Sequence, residues 1–262
     1  MTTFDPRTYW EERLEKSSGL EGVGYLGLGQ AFNAWMYRVR SRVFKRVVRS
    51  QLNGRPTGKV LDVGSGTGVY LRLWQELQAQ QVIGTDITDT AVERLRQQFT
   101  GMRIFRMDAS EGDPALDGTF DRVSCMDVLF HIVDDQRFRN ALANFHRALK
   151  PGGQLIISEN FLHFKGKDQT HFVVRGLAEY EQALAAAGFR IVLRKPMFHL
   201  LNQPTDSRSA WLWQWWALVQ RICGKSHAAG GLLAALVYPL ELLLVRWRSE
   251  GTSTEIMVCE RV

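Results

Sequence analysis

The 262-residue chain has little cysteine, and Cys125, Cys223 and Cys259 stand far apart with no C-x-x-C spacing. This excludes a disulfide framework and a cysteine zinc site, and it fits a reducing compartment. No His-Glu-x-x-His or comparable ligand spacing occurs, so no metal is expected. The stretch MTTFDPRTYWEERLEK is polar and charged from residue 5 onward, unlike a secretory signal, which makes the cytoplasm the expected location. No uncharged apolar run reaches the roughly 20 residues that a membrane span wants. The longest, Ala228 to Val245, is interrupted by Pro239 and Glu241. There is no internal repeat and no low-complexity tract. Acid is missing altogether from Gly22 to Leu61.

That acid-free stretch carries Arg38, Arg40, Arg42, Lys45, Arg46, Arg49, Arg55 and Lys59. Such an excess suits phosphate, anionic lipid or an acidic substrate, or else a solvated helix face. Apolar residues make up 45% of the chain, enough for an ordinary core without staples. A short helix is expected around Tyr9–Lys16. Glycines 19, 22, 24, 27 and 29 then read as a mobile loop. From Gln30 to Leu52, Phe32, Trp35, Met36, Val39, Val43 and Val47 recur at steps of three and four, as in an amphipathic helix with a basic outer face.

From Lys59 short apolar runs alternate with helical periods. Strands are expected near Lys59–Val63, Gln81–Thr85, Met102–Met107, Phe120–Met126, Gln154–Glu159, Phe189–Lys195 and Glu255–Glu260. Helices fit near Val69–Gln80, Thr88–Thr100, Asp135–Leu149 and Gly176–Ala187, with Lys150-Pro151-Gly152-Gly153 as the turn into the next strand. The alternation implies a parallel α/β sheet covered on both faces.

The stretch KVLDVGSGTGVYL is the most informative. Gly64-Ser65-Gly66-Thr67-Gly68 separates a strand from a helix, where glycines admit a close ligand and the helix start offers free N–H groups. The dinucleotide pattern G-x-G-x-x-G would need glycine where Val69 stands, and no Lys-Ser/Thr follows to grip phosphates. Asp62, just ahead of the loop, would repel a pyrophosphate and attract an ammonium group. The ligand therefore has a positive end.

On these residues the chain resembles a class I S-adenosylmethionine-dependent methyltransferase, from Lys59 to about Lys195 and again at the final strand. The resemblance implies a Rossmann-like seven-stranded sheet with the last strand antiparallel. It also implies S-adenosylmethionine as cofactor, converted to S-adenosylhomocysteine. In VIGTDIT, Asp86 beside Ile87, 24 residues after Asp62, would bind the ribose hydroxyls. In FRMDAS, Asp108 beside Ala109 would hold the adenine amino group. FDRVSCMDVLFHIVDD resembles the fourth-strand motif and would place Met126 under the methionine moiety, while LKPGGQLIISE and AGFRIV resemble the fifth and sixth strands.

Acceptor residues should project from the strand C-terminal ends. A hydroxyl acceptor benefits from a base. His171 is the preferred base, with His131 and Glu159 as further candidates, and His163, Arg175 and Tyr25 as acceptor contacts. Residues 1–58 would form a glycine-hinged lid with the basic helix, or a plain tether. Residues 59–198 and 252–262 would form the core, and 199–251 a helical insertion. The insertion, His199 to Thr254 at its widest, holds five of the eight tryptophans. It reads as two helices joined around Gly224–Gly231, the first with Trp211, Leu212, Trp215, Leu218, Val219 and Ile222 on one face. Three roles stay open for it: pocket cover, contact with a membrane surface, or extra core. The expected acceptor is a hydroxyl of a small molecule, lipid or glycan, with N-methylation or a nucleic-acid substrate as alternatives. No recognition motif supports nucleic acid.

Overall fold

The computed structural model describes residues 5–16, 19–164 and 172–262. Seven strands form one mixed sheet: β1 (Lys59–Val63), β2 (Gln81–Asp86), β3 (Arg103–Arg106), β4 (Phe120–Met126), β5 (Leu149–Glu159), β6 (Phe189–Pro196) and β7 (Glu255–Arg261). Their order is β3-β2-β1-β4-β5-β7-β6. β7 pairs antiparallel with both β5 and β6, and the pairs among β1 to β5 are parallel. Val60, Leu61, Val63, Val123 and Cys125 are buried because β1 and β4 lie in mid-sheet with both faces covered. The strand order reverses between β1 and β4, the place where open α/β sheets leave a crevice for ligands.

One sheet face is packed by α3 (Gly29–Leu52), α4 (Val69–Glu76), α5 (Asp89–Gln98), α8 (Ala210–Lys225) and α9 (His227–Trp247). The other is packed by α6 (Asp135–Ala148) and α7 (Leu177–Ala186). Side-chain caps set several of these starts: Thr88 Oγ1 accepts from Ala91 N, and Asp134 Oδ1 accepts from Arg137 N at 2.7 Å. On α3, Phe32, Met36, Val39, Val43 and Val47 point inward, as their spacing predicts. α1 (Pro6–Lys16) is fastened to the start of α5, where the Glu11 carboxylate accepts from Asp89 N at 2.9 Å and Thr90 N at 2.8 Å. Arg94 also donates to Leu14 O at 2.6 Å.

Four expectations need correction. The glycine-dense segment is a short helix α2 (Leu20–Val23) and a 3₁₀ turn (Leu26–Leu28). Its glycines serve close packing: a Cβ on Gly24 would stand 2.3 Å from Asn33 Oδ1, which accepts from Tyr25 N. β5 begins at Leu149, so Lys150-Pro151-Gly152-Gly153 lies within the strand; Leu149 pairs with Phe120, and a register shift follows. α8 and α9 are separated by Ser226 alone. The glycines beyond it make helix contacts, since Cβ atoms there would fall 2.5 Å from Cys223 Sγ (Gly230) and 2.6 Å from Ala31 Cβ (Gly231). The inward face of α8 is Trp216, Val219 and Cys223, with Trp211 and Leu218 exposed. The helix is turned so that Trp216 meets Tyr25 at 5.7 Å and Phe32 at 6.4 Å.

Glu241 on α9 is buried and accepts from His199 N at 2.7 Å and Leu200 N at 2.8 Å. Burial outweighs those donors and pushes its pKa up to about 7, from an ordinary 4.5. The folded state thus holds this proton where the unfolded chain releases it. Stability from this group is complete below the unfolded value and is lost as pH rises through about 7, a change of about 3 kcal/mol at most. Urea midpoints at about pH 5 and about pH 8 should fall less steeply for Glu241→Gln than for the parent. Parallel profiles would remove Glu241 as the source.

Candidate active-site cleft

The cleft opens where β1 and β4 end. Val63 leads into the glycine loop, and Gly64 N and Ser65 N donate to Thr85 O at 2.8 and 2.9 Å, tying the loop to β2. Gly64 and Gly68 have φ of 72° and 78°. A Cβ would come within 2.3 Å of Val128 Cγ2 at Gly64 and within 2.5 Å of Phe99 Cε2 at Gly68, so both positions need glycine twice over. Above the loop lies an open cleft.

Its lower wall is Gly64, Ser65 and Gly66, followed by Asp86, Ile87, Met107, Asp108, Ala109 and Met126. Asp86 Oδ2 accepts from Gly66 N at 2.9 Å, while Oδ1 accepts from Thr88 N at 3.0 Å and Thr88 Oγ1 at 2.8 Å. Burial raises its pKa. The Asp108 carboxylate accepts from Ser110 N at 2.8 Å and is paired with Arg137.

The upper wall comes mostly from elements distant in the chain from the glycine loop. Pro6, Trp10 and Leu14 of α1 face Tyr37 of α3, Tyr70 of α4, and Phe130, His131 and Ile132 beyond β4. The Trp10 ring meets His131 edge-on at 4.7 Å. Asp127 lies at the end of β4 with φ of 58°, a left-handed conformation that Asp tolerates better than most residues. It forms an ion pair with Arg40, whose guanidinium also lies 5.1 Å over Phe198 and 5.7 Å from the Tyr37 ring. Burial pushes the Tyr37 hydroxyl up to about 12 and the Tyr70 hydroxyl above its ordinary value.

A methyltransferase-domain family matches residues 60–153. The phosphatidylethanolamine N-methyltransferase of Cereibacter sphaeroides is 31% identical over 146 residues, covering 53% of this chain and 68% of that protein. The chain belongs to the class I S-adenosylmethionine-dependent methyltransferases. The ubiquinone/menaquinone biosynthesis C-methyltransferase of Bordetella avium (strain 197N) is 35% identical over 123 residues, 45% of this chain and 47% of that protein. A ubiquinone biosynthesis O-methyltransferase of Pseudomonas aeruginosa (strain LESB58) is 34% identical over 104 residues, 38% and 43% of the two chains. The chain thus spans about half the length of these two relatives. Among solved structures, a SAM-dependent methyltransferase from Leishmania major superposes with a TM-score of 0.60 at 14% identity, covering 97% of this chain and 83% of that one. The cyclase SpnF superposes at 0.54 and 20% identity, covering 84% and 80%. These two establish the fold.

The residues of this methyltransferase chain fit the cofactor: a glycine cradle, a carboxylate at the end of β2, and an apolar slot of Ile87, Met107 and Ala109. Gly64, Ser65, Gly66, Asp86, Ile87, Asp108, Ala109 and Met126 line the cleft together, where the sequence places the cofactor. Asp62 and Gly68 are not among its lining residues. Asp62 turns inward, accepting from Ser124 Oγ at 2.5 Å and Ser65 Oγ at 2.8 Å, and Ser124 in turn receives Trp74 Nε1 at 2.8 Å. Burial pushes Asp62 up to about 6. Its carboxylate therefore props the loop from behind through Ser65.

Of the acceptor-side candidates, His131 lines the cleft. His171 lies outside the described residues. Glu159 is buried and accepts from Leu129 N at 2.8 Å; burial raises its pKa strongly. Arg175 donates to Ile132 O at 2.9 Å and pairs with Asp135 at 2.8 Å. These two brace the backbone that carries His131, from behind the cleft. Tyr25 donates to Asn202 Oδ1 at 2.8 Å, and the His163 ring pairs with Asp206 at 2.6 Å; neither lines the cleft. Sequence reasoning missed Trp10, Tyr37, Tyr70 and Asp127. Two signals for the last were its place directly after Met126 in the fourth-strand motif and Arg40 in the acid-free stretch, which needs a carboxylate from elsewhere.

If Asp86 binds the ribose hydroxyls, removing its carboxylate should weaken S-adenosylhomocysteine binding by about tenfold or more through the loss of charge-assisted bonds. Titration calorimetry of Asp86→Ala checks this, with a melting curve alongside because Gly66 and Thr88 lose an acceptor too. Unchanged affinity would take the ribose role away from Asp86.

Proposed function

We propose that the protein transfers the methyl group of S-adenosylmethionine to a hydroxyl of an apolar small-molecule or lipid acceptor. The observation that carries this reading is His131: among the described residues it is the only histidine lining the cleft, and it stands against Trp10 on the acceptor side. Bound S-adenosylmethionine supplies an electrophilic methyl carbon on a sulfonium. The chain's own residues do the rest. Trp10, Leu14, Phe130 and Ile132 exclude water and hold an apolar acceptor in line with the cofactor end of the cleft. A ring nitrogen of His131 accepts the hydroxyl proton as the new bond forms. Asp127, paired with Arg40, keeps the end of β4 in its left-handed turn, so that the following residues present His131.

The relatives' names support the lipid class alone, since ubiquinone, menaquinone and phosphatidylethanolamine are lipid-class molecules that these C-, O- and N-methyltransferases are named for. One of these relatives is an N-methyltransferase, which is the alternative reading; a neutral amine needs no base. The deciding experiment incubates the protein with methyl-labelled S-adenosylmethionine and three acceptors: a long-chain alkylphenol, phosphatidylethanolamine and unmodified RNA. Label on phenol oxygen, located by mass spectrometry, is the expected result. Label only on the amine or in RNA would overturn the hydroxyl reading.

A further inference from the structure

The solvent-facing stripe of α9 is apolar throughout. Leu232, Leu236, Leu240, Leu243 and Trp247 follow at steps of four, four, three and four, with exposures of 63, 71, 49, 42 and 76%. α8 adds Trp211, Trp213 and Leu218, and Leu26 in the neighbouring 3₁₀ turn is exposed as well. An apolar strip of this length on one side of a helix pair marks a contact surface.

The exposed charges on α8 and α9 have one sign. From Ser207 to Ser249 the only acid is Glu241, which is buried and occupied by backbone donors. Arg208, Arg221, Lys225, Arg246 and Arg248 are all exposed. α3, packed along α9 through Trp35 and Tyr238 at 5.0 Å, exposes Arg38, Arg42 and Arg49. Leucines flanked by tryptophan and rimmed by cations are the make-up of a surface that sinks its apolar face among acyl chains and leaves its charges at anionic headgroups.

We propose that α8 and α9 dock the protein on an anionic lipid bilayer, α9 lying flat in the interface. α9 is long and apolar enough to cross a membrane, with a mean hydropathy of 1.9, but its other face is committed. Gly231 abuts Ala31, and Glu241 holds the His199–Leu200 backbone, contacts that a spanning orientation would break. A second copy of the chain is a poor occupant, because a two-fold contact through this face would set one basic rim against another. Docking does not depend on which acceptor is methylated.

The test is vesicle flotation of the full chain, with phosphatidylcholine alone and with phosphatidylglycerol added. Wild type should float with the anionic vesicles, about tenfold or more over neutral ones. Leu232→Ser with Leu236→Ser should reduce that partitioning by about tenfold or more, as should Arg221→Glu with Lys225→Glu. Melting temperature and S-adenosylhomocysteine affinity should stay those of wild type in both. Absence of wild-type flotation overturns the proposal, as does equal binding to neutral vesicles or unchanged binding by the leucine variant. A drop in melting temperature for the leucine variant would make the stripe core. A dimer dissolved by the same substitutions, without vesicle binding, would assign the face to a second copy; both outcomes overturn docking.

Discussion

Asp127→Asn is expected to destabilise the fold by about 3 kcal/mol, the low end for breaking a buried ion pair. The Arg40 side chain is only 11% exposed, and its partner's carboxylate is its charge compensation at the end of β4. With that charge gone, the guanidinium stays among Tyr37, Tyr70 and Phe198 without a counter-ion. The loss stays near the low end because Asp127 opens onto the cleft, where water can reach the vacated place. Asparagine keeps the tolerance for a left-handed φ, so this variant isolates the charge. Combining it with Arg40→Met removes the orphaned cation and should restore most of the stability, since apolar replacements of a buried pair are often close to neutral. Urea unfolding of the two single variants and the double variant measures this coupling directly. Additive losses in the double variant would mean that the pair does not carry the stability.

His131→Ala should cost roughly 10²–10⁴ in turnover, the usual contribution of a positioned base, with S-adenosylhomocysteine affinity nearly unchanged. The pH profile separates a base from a wall residue. If His131 takes the proton, kcat of the parent rises as the imidazole loses its own proton, and His131→Ala abolishes that limb. A uniform loss at every pH would assign His131 to packing against Trp10 and Phe130. Full activity in the alanine variant would transfer the proton step elsewhere or make a base unnecessary.

The strands, their order of appearance and the cofactor half of the cleft were legible because those signals are local. A glycine loop, and an acid at the end of each of two strands, need only neighbours in the chain to be recognised. The seven strands accordingly lie where apolar runs predicted them, apart from the earlier start of β5 at Leu149, and Gly64, Gly66, Asp86 and Asp108 come together at the switch point between β1 and β4. Asp62 shows the limit of that reading. Its position before the loop was plain, but the direction of its carboxylate depended on Ser124, some sixty residues away on the adjacent strand.

The acceptor half was illegible for the same physical reason. Arg40 and Asp127 are 87 residues apart, and Trp10 and His131 farther still, so no spacing connects them; only the packing of α1 and α3 on the sheet does. Glycine density misled because Gly24, Gly230 and Gly231 serve contacts with Asn33, Cys223 and Ala31, which composition reads as looseness. The amino-acid sequence alone determined the class, the sheet and the cofactor cradle. Tertiary structure alone decided which charges face the cleft, which face each helix buries, and that the stripe of α9 left outside is apolar. Burial and pairing are properties of what packs against a residue, and for these residues the partners come from distant parts of the chain.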